Sequence, residues 1–353
     1  MKSVAILIPT IKPGGAEKQA TLLATLLDKY YRVDMYLFLG YLAPNPQNIE
    51  LLRASKVHVH PLEGSVYNKV KIMAASLKEN NTEVLFNYLT NCDVMGCIAG
   101  NIAGVKRIYG GIRNARISFH KVIAERIVHN HFTAGTIFNC YSGKREIGSR
   151  GLKESKSIVI PNCFPDISVE ITRQDKHIKH IVTVGRFVKQ KDYNTAIKAV
   201  GILKQTRNDF VFDIIGYGVE EDNIRQWIKE EGVEDNVVLH IRPNNVQDIV
   251  RDSDIYLSTS LYEGTSNSIM EALNWSLPIV ATNVGDNNQL IIDGNNGFLH
   301  PVGDAKGLAM SMSKLLDNVE LRNKMGLMSN KNLRDNYSME IFERRYLQVI
   351  EGK

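Results

Sequence analysis

Short apolar runs alternate with longer stretches of mixed polarity. Residues 4–8 predict a buried strand, Gly14-Gly15 a turn, and residues 16–29 a helix. Runs at 33–39, 84–87, 107–109, 136–138 and 158–161 predict further strands between helical segments. The pattern then restarts. Residues 181–184 open a second series, with helices expected at 193–205 and 221–231, and strands at 211–215 and 237–240. Strands at 255–258, 279–281 and 297–300 and a helix near 266–275 follow. Residues 339–350 predict a closing helix from the spacing of Ile341, Tyr346 and Val349. Alternating strands and helices imply parallel sheets covered by helices. The expectation is an α/β protein of two Rossmann-like domains, 1–165 and 166–337. Residues 162–174 are the linker, and 338–353 pack back on the first domain. In open α/β sheets ligands bind beyond the carboxyl ends of the strands, so two such domains facing each other would make an interdomain cleft.

Composition narrows this picture. The chain has 353 residues, 44% hydrophobic and 23% charged, a globular balance with room for two domains. The opening apolar run stops at Pro9, too short for a signal-peptide core. No 18-residue uncharged apolar stretch follows, so no bilayer crossing is expected. Cys92, Cys97, Cys140 and Cys163 are too few and scattered for a disulfide scaffold, which suits a cytoplasmic protein. The net charge of +5 divides unevenly: residues 1–170 carry +8 and 171–353 carry −3. A basic first half suits an anionic partner, whether a phosphorylated substrate or an anionic membrane surface. Nucleic acid also fits the charge, but no nucleic-acid-binding module is recognisable and none is expected as a partner.

Three motifs fall where strands give way to helices. Pro13-Gly14-Gly15-Ala16-Glu17 follows the first strand. Paired glycines let backbone approach a ligand, and the helix start offers free N–H groups to an anion, although a tight βα turn has the same composition. The stretch from Val184 to Asp192 places Arg186 and Lys191, two cations, on a loop after a strand. They suit phosphate oxygens, as a fork and as a point charge. The third runs from Tyr262 to Ala272. Ser266 or Asn267 would cap a helix whose first amides could hold a diphosphate. Glu263 precedes that helix and Glu271 lies within it. Eight helical residues span about 12 Å, more than the roughly 5–9.5 Å between a glycosidase's two carboxyls, so the pair suits two parts of one long ligand.

Together these stretches resemble GT4-family retaining glycosyltransferases of the GT-B fold. The resemblance rests on Gly14-Gly15-Ala16-Glu17-Lys18, on Val184-Gly185-Arg186 with Lys191-Asp192, on Glu263-Gly264 through Glu271-Ala272, and on Asn295-Asn296-Gly297-Phe298-Leu299 to Gly303-Asp304. Pro278-Ile279-Val280-Ala281-Thr282 and Gly285 also fit. It is strong from about 181 to 325 and looser over 1–165. It implies that Arg186 and Lys191 grip the donor diphosphate, that Glu271 takes the ribose hydroxyls, and that Glu263 lies near the donor sugar. Thr265, Ser266 and Asn267 would contact phosphate or sugar, and Gly14, Gly15 and Gly216 would lie close to the donor. The base would rest near Arg242, where many relatives have a glycine-containing turn. Arg113 and Asn114 would face the reaction centre or the acceptor. The implied reaction is metal-independent transfer of a hexosyl or N-acetylhexosaminyl group, with a UDP-sugar favoured over a GDP-sugar. The acceptor would be a glycan or a polyprenyl-linked intermediate of bacterial surface polysaccharide (LPS or O-antigen, capsule or exopolysaccharide). The implied location is cytoplasmic, peripheral on the inner face of the membrane. The alternatives are a nucleotide-sugar epimerase of related fold and a non-catalytic donor-binding subunit.

Weaker signals have ordinary explanations. Asp252-Ser253-Asp254 imitates a metal-binding Asp-x-Asp but precedes a strand. His58-x-His60 and His129-x-His131 lack a second ligand cluster. Ile215-Gly216-Tyr217-Gly218 lacks the third glycine of a dinucleotide fingerprint. The basic run from Lys106 to Arg126 could meet anionic lipid or a lipid diphosphate, or could simply be solvated.

Overall fold

The computed structural model describes residues 2–113 and 118–352. The chain folds into two compact units, Met1–Cys163 with Met339–Lys353, and Phe164–Ser338.

The first unit alternates β1 (Ser3–Ile8), α1 (Gly15–Leu27), β2 (Arg32–Leu37), α2 (Pro46–Arg53), β3 (His58–Pro61), α3 (Val66–Glu79) and β4 (Thr82–Asn87). It continues with α4 (Thr90–Ala103), β5 (Arg107–Ile112), α5 (Phe119–His131), β6 (Gly135–Phe138), α6 (Tyr141–Gly148) and β7 (Ser157–Val159). The seven strands form one sheet in the order β3-β2-β1-β4-β5-β6-β7, and the pairs are parallel. β1 is buried along its whole length, which is why its sequence is an unbroken apolar run rather than an alternation.

The second unit runs β8 (Lys179–Arg186), α7 (Tyr193–Lys204), β9 (Phe210–Tyr217), α8 (Glu221–Glu230), β10 (Val237–Ile241), α9 (Val246–Asp252) and β11 (Ile255–Ser258). It closes with α10 (Asn267–Asn274), β12 (Ile279–Thr282), α11 (Asn287–Leu290), β13 (Gly297–His300), α12 (Ala305–Leu316) and α13 (Val319–Tyr337). Its parallel sheet has the order β10-β9-β8-β11-β12-β13. Apolar clusters fill both faces, one with Ile197, Phe212 and Met312, the other with Val182, Ile215 and Leu273.

The last helix, α14 (Met339–Glu351), returns to the first unit. Phe342, Tyr346, Val349 and Ile350 join the core that holds Val4, Leu23 and Phe86, and the Phe86 and Tyr346 rings meet edge to face at 5.3 Å.

The predicted linker is not free. Phe164 and Ile167 pack against the second unit's core. Ser168 and Ile171 donate backbone N–H bonds to Asn274 Oδ1 and Ser276 Oγ, and the Arg173 guanidinium donates to the carbonyls of Arg251, Trp275 and Ser276. Its polar composition serves these bonds rather than solvent.

Candidate functional site

In the second unit the ends of β8, β9 and β10 enclose a pocket of about 550 Å³. Its walls are Val184, Gly185 and Arg186 from β8, Ile215, Gly216 and Tyr217 from β9, then Arg242, Pro243 and Val246. Gly216 is required here, since a Cβ would run into the Gly185 carbonyl and the Phe187 ring. Arg242 has φ +48°, a left-handed conformation that costs a non-glycine residue about 1–2 kcal/mol. It is held by its N–H to the Gly216 carbonyl (3.2 Å) and by its guanidinium, which lies 4.4 Å from the centre of the Tyr217 ring.

Arg186 ends β8 and is exposed. Among the described residues its guanidinium has no hydrogen bond or ion pair. The loop after it folds back on β8. A Cβ on Gly185 would lie 3.2 Å from Lys191 Cε, so the glycine gives the lysine chain its path across the strand end. Lys191 Nζ donates to Glu263 Oε1 at 2.6 Å, and Ser260 Oγ donates to the same oxygen at 2.8 Å. The two loops are joined along their length. Thr259 Oγ1 donates to the carbonyls of Lys191 and Asp192, Leu261 N–H to the Gln190 carbonyl, and Gln190 Nε2 to the Tyr262 carbonyl. Asp192, also left-handed at φ +47°, caps α7 by accepting from Thr195 N and Oγ1. This fixed backbone carries Lys191 and Glu263 beside the pocket wall.

Ser266 caps α10, its Oγ accepting from Ile269 N at 3.5 Å. Thr265 precedes the cap and Asn267 opens the helix. Gly285, at φ +58°, lets its turn approach the Glu263 carbonyl where a Cβ would collide, and Asp286 N–H donates to the Gly264 carbonyl. Glu271 lies one turn into α10, with Oε2 accepting from Gln247 Nε2 at 3.3 Å, while Trp275 Nε1 holds the other end of Gln247 at 2.8 Å. Below the pocket, burial raises the Tyr256 hydroxyl above its ordinary pKa. It bonds the Val184 backbone at 3.3 Å and stays a neutral donor.

The first unit is arranged differently. Gly14 precedes α1, and the buried Glu17 carboxylate folds back where a Gly14 Cβ would stand, while the space beside Gly15 is open. The Arg113 guanidinium lies 4.2 Å from the Tyr88 ring centre and donates from Nη2 to the Tyr346 hydroxyl at 2.9 Å. Asn114 lies outside the described residues. Behind Gly111, whose N–H donates to Asp93 Oδ1 at 2.9 Å, two acids are fully buried, Asp93 and Glu125. Burial and the neighbouring Glu125 push the Asp93 carboxyl well above the usual range. Burial also raises Glu125. Both acids are thereby held toward their protonated forms.

The weaker sequence signals have structural partners. Asp254 is buried and accepts the His180 N–H, and Asp252 pairs with Arg251. His129 is buried between Thr136 Oγ1 and the Lys153 carbonyl, His60 pairs with Asp34, and Cys92 and Cys97 lie in the core. Among the described residues no group of three His, Cys, Asp or Glu could hold a metal ion. Sequence reasoning missed Tyr217 under Arg242, and Ser260 and Gln190, which brace Glu263 and its loop. Ser260 and Gln190 sit on loops without periodicity, and an isolated serine or glutamine carries no signal.

Residues 167–331 match the family described as Glycosyl transferases group 1. The chain is 26% identical over 173 residues to the lipopolysaccharide core biosynthesis glycosyltransferase LpsE of Rhizobium meliloti, 49% of this chain and 50% of that protein. The chain spans about half or less of the length of the curated relatives it matches first. Among solved structures it is similar to Anabaena Alr3699/HepE in complex with UDP, at TM-score 0.82 and 18% identity, covering 100% of both chains. It is also similar to the apo form of the lipopolysaccharide outer core galactosyltransferase WaaB, at TM-score 0.80 and 15% identity, covering 100% of this chain and 99% of that one. These structures share the GT-B fold. The group 1 match covers residues 167–331, a little under half of the chain, and the likeness to solved structures extends the fold over the whole of it.

Proposed function

We propose that this protein is a retaining, GT4-type glycosyltransferase that takes a hexosyl or N-acetylhexosaminyl group from a UDP-sugar. One observation carries the reading: an arginine with no partner among the described residues lines a pocket of about 550 Å³ at the strand ends, and a lysine–glutamate pair and a capped helix start stand on the braced loops next to that wall. Alr3699/HepE is a solved neighbour that holds UDP, which supports uracil as the base.

In this reading the anomeric C–O bond to the diphosphate breaks through an oxocarbenium-like transition state, and charge gathers on the leaving phosphate. Arg186 and Lys191 meet that charge, and the α10 amides from Ser266 onward add to it. They stabilise the transition state more than the ground state. The acceptor oxygen bonds the anomeric carbon on the same face, and its proton passes to the departing phosphate oxygen. Glu263 holds Lys191 and faces the sugar, and Glu271 takes the ribose. Gly14, Gly15, Arg113 and Asn114 remain the proposed first-unit contributors.

The acceptor we propose is a glycan or a polyprenyl-linked intermediate of surface polysaccharide. LpsE of Rhizobium meliloti is a lipopolysaccharide core enzyme by name. No described helix is long and apolar enough to cross a membrane. Peripheral contact with an anionic inner membrane face is supported by one layer of the first unit. There α3, α4 and α5 cover the same sheet face and leave Tyr67, Ile98, Ile102, Phe119 and Ile127 exposed beside exposed Lys106, Lys121 and Arg126.

A thermal-shift panel of UDP-, GDP- and ADP-sugars tests the donor. A ligand that binds only the native state raises Tm. The expected result is a rise with one or more UDP-sugars, and no rise with any sugar nucleotide contradicts the reading. Donor converted to its epimer without an acceptor would favour the epimerase.

A further inference from the structure

The three strands that end at the pocket are fastened together by a polar cluster outside it. Asp213, buried in the middle of β9, accepts one hydrogen bond at each carboxylate oxygen. His180 in β8 donates from Nδ1 to Oδ2 at 2.7 Å, and His240 in β10 donates from Nε2 to Oδ1 at 2.7 Å. Burial works against the charge, yet the two histidine bonds hold the Asp213 carboxyl below its ordinary range, so it stays an ionised double acceptor.

The register shows what this tie controls. His240 lies opposite Ile215 and Ile241 opposite Gly216. Two residues beyond Asp213 the chain becomes the pocket wall at Ile215, and two residues beyond His240 it becomes the wall at Arg242. β10 is the edge strand, paired on one side by β9. Its end must deliver Arg242 in a left-handed conformation, which persists only where the surroundings over-determine it. The histidine–aspartate–histidine bridge joins β8, β9 and β10; β8 and β9 supply most of the pocket's lining, and the turn after β10 supplies Arg242 and Pro243.

The first unit contains a matched counterpart. Asp34 in β2 bonds His60 of the edge strand β3 at 2.8 Å, and that histidine stands two residues past the aspartate's cross-strand partner, as His240 does. Its third member, Arg32, comes from β2 itself, so only two strands are joined.

We propose that Asp213, acting through His180 and His240, is a positioning residue for the nucleotide: it sets the register and angle at which β10 presents Arg242 to the base pocket. This rests on the donor reading above and adds residues remote from the diphosphate.

The test is calorimetric titration of the full chain with UDP, together with donor KM and kcat. His240→Ala should weaken UDP about threefold to tenfold, the scale of one net hydrogen bond. KM should rise by the same factor while kcat at saturating donor stays within about twofold. His240→Gln, whose amide N–H reaches the same carboxylate, should restore most of the affinity. His60→Ala should leave UDP affinity unchanged. Unaltered UDP affinity in folded His240→Ala overturns the assignment, as does an equal loss in His60→Ala. If His240→Ala does not fold, the isosteric Asp213→Asn carries the test: a several-fold loss supports the assignment and unchanged affinity overturns it. A wild-type chain that binds neither UDP nor any UDP-sugar overturns the donor reading and this inference together, whereas wild-type binding with insensitive variants overturns the inference alone.

Discussion

In the first unit the turn after the first strand runs through Gly14-Gly15 into α1, and the carboxylate of Glu17 folds over it. In the second unit the turn after β8 carries Arg186 and Lys191, and the nearest carboxylate, Glu263, is tied to the lysine. The two sheets have the same strand order over six strands, so the scaffold does not explain the difference. Its source is where charge is placed. Beside its pocket the second unit carries Arg186, Lys191 and Glu263 at strand ends, on exposed or half-buried loops. The first holds Arg113 half-buried against Tyr88 and Tyr346, and buries Asp93 with Glu125 beneath Gly111. One doubly wound strand order can thus present cations at its strand ends or pack them away, depending on a handful of side chains.

The comparison breaks most readily at Lys191. Lys191→Ala should lower kcat by about 10²–10³, on the order of 3–4 kcal/mol of barrier, with the thermal unfolding curve little changed. Near-wild-type turnover would remove the lysine from the mechanism.

Arg113→Ala sharpens the contrast from the other side. The guanidinium packs between Tyr88 and Tyr346, so its loss should cost about 1–2 kcal/mol of stability while UDP affinity is untouched. A fall in UDP affinity without a fall in Tm would reverse that assignment.

The smallest effect concerns the buried acids. The folded state holds Asp93 and Glu125 above the ordinary carboxylate range, so it keeps a proton that the unfolded chain releases near pH 4. The stability this contributes is complete below that point and is lost as pH rises toward the raised values. Glu125→Gln should therefore narrow the Tm difference between pH 5 and pH 8 by about 2–4 °C. An unchanged pH slope would show that the folded state holds no extra proton on this pair.

Much of the fold is legible in the residue pattern. Residues 4–8 announce β1 and 193–205 announce α7, because buried parallel strands and amphipathic helices leave different periods. The α13 helix, 19 residues long, leaves no such period. Its buried face mixes Met325, Leu333 and Tyr337 with Arg322, Ser329, Asn330 and Asn332. Arg322 donates to the carbonyls of Leu315 and Leu316, Asn330 to that of Ser168, and Asn332 to that of Leu290. A helix buried partly through hydrogen bonds shows no continuous apolar stripe. The second unit's motifs are visible because glycines and cations punctuate strand ends. The Asp213 cluster is hidden because its members lie 33 and 27 residues apart in sequence and meet only across the sheet.

The central claim is that the second unit's cations hold the donor's diphosphate, and comparing UDP with uridine by calorimetry isolates that part of the ligand. Wild-type protein should bind UDP at least a hundredfold more tightly than uridine, about 2.7 kcal/mol. The Arg186→Ala/Lys191→Ala double variant should lose most of that gap while keeping its affinity for uridine. A gap of equal size in the double variant would contradict the account.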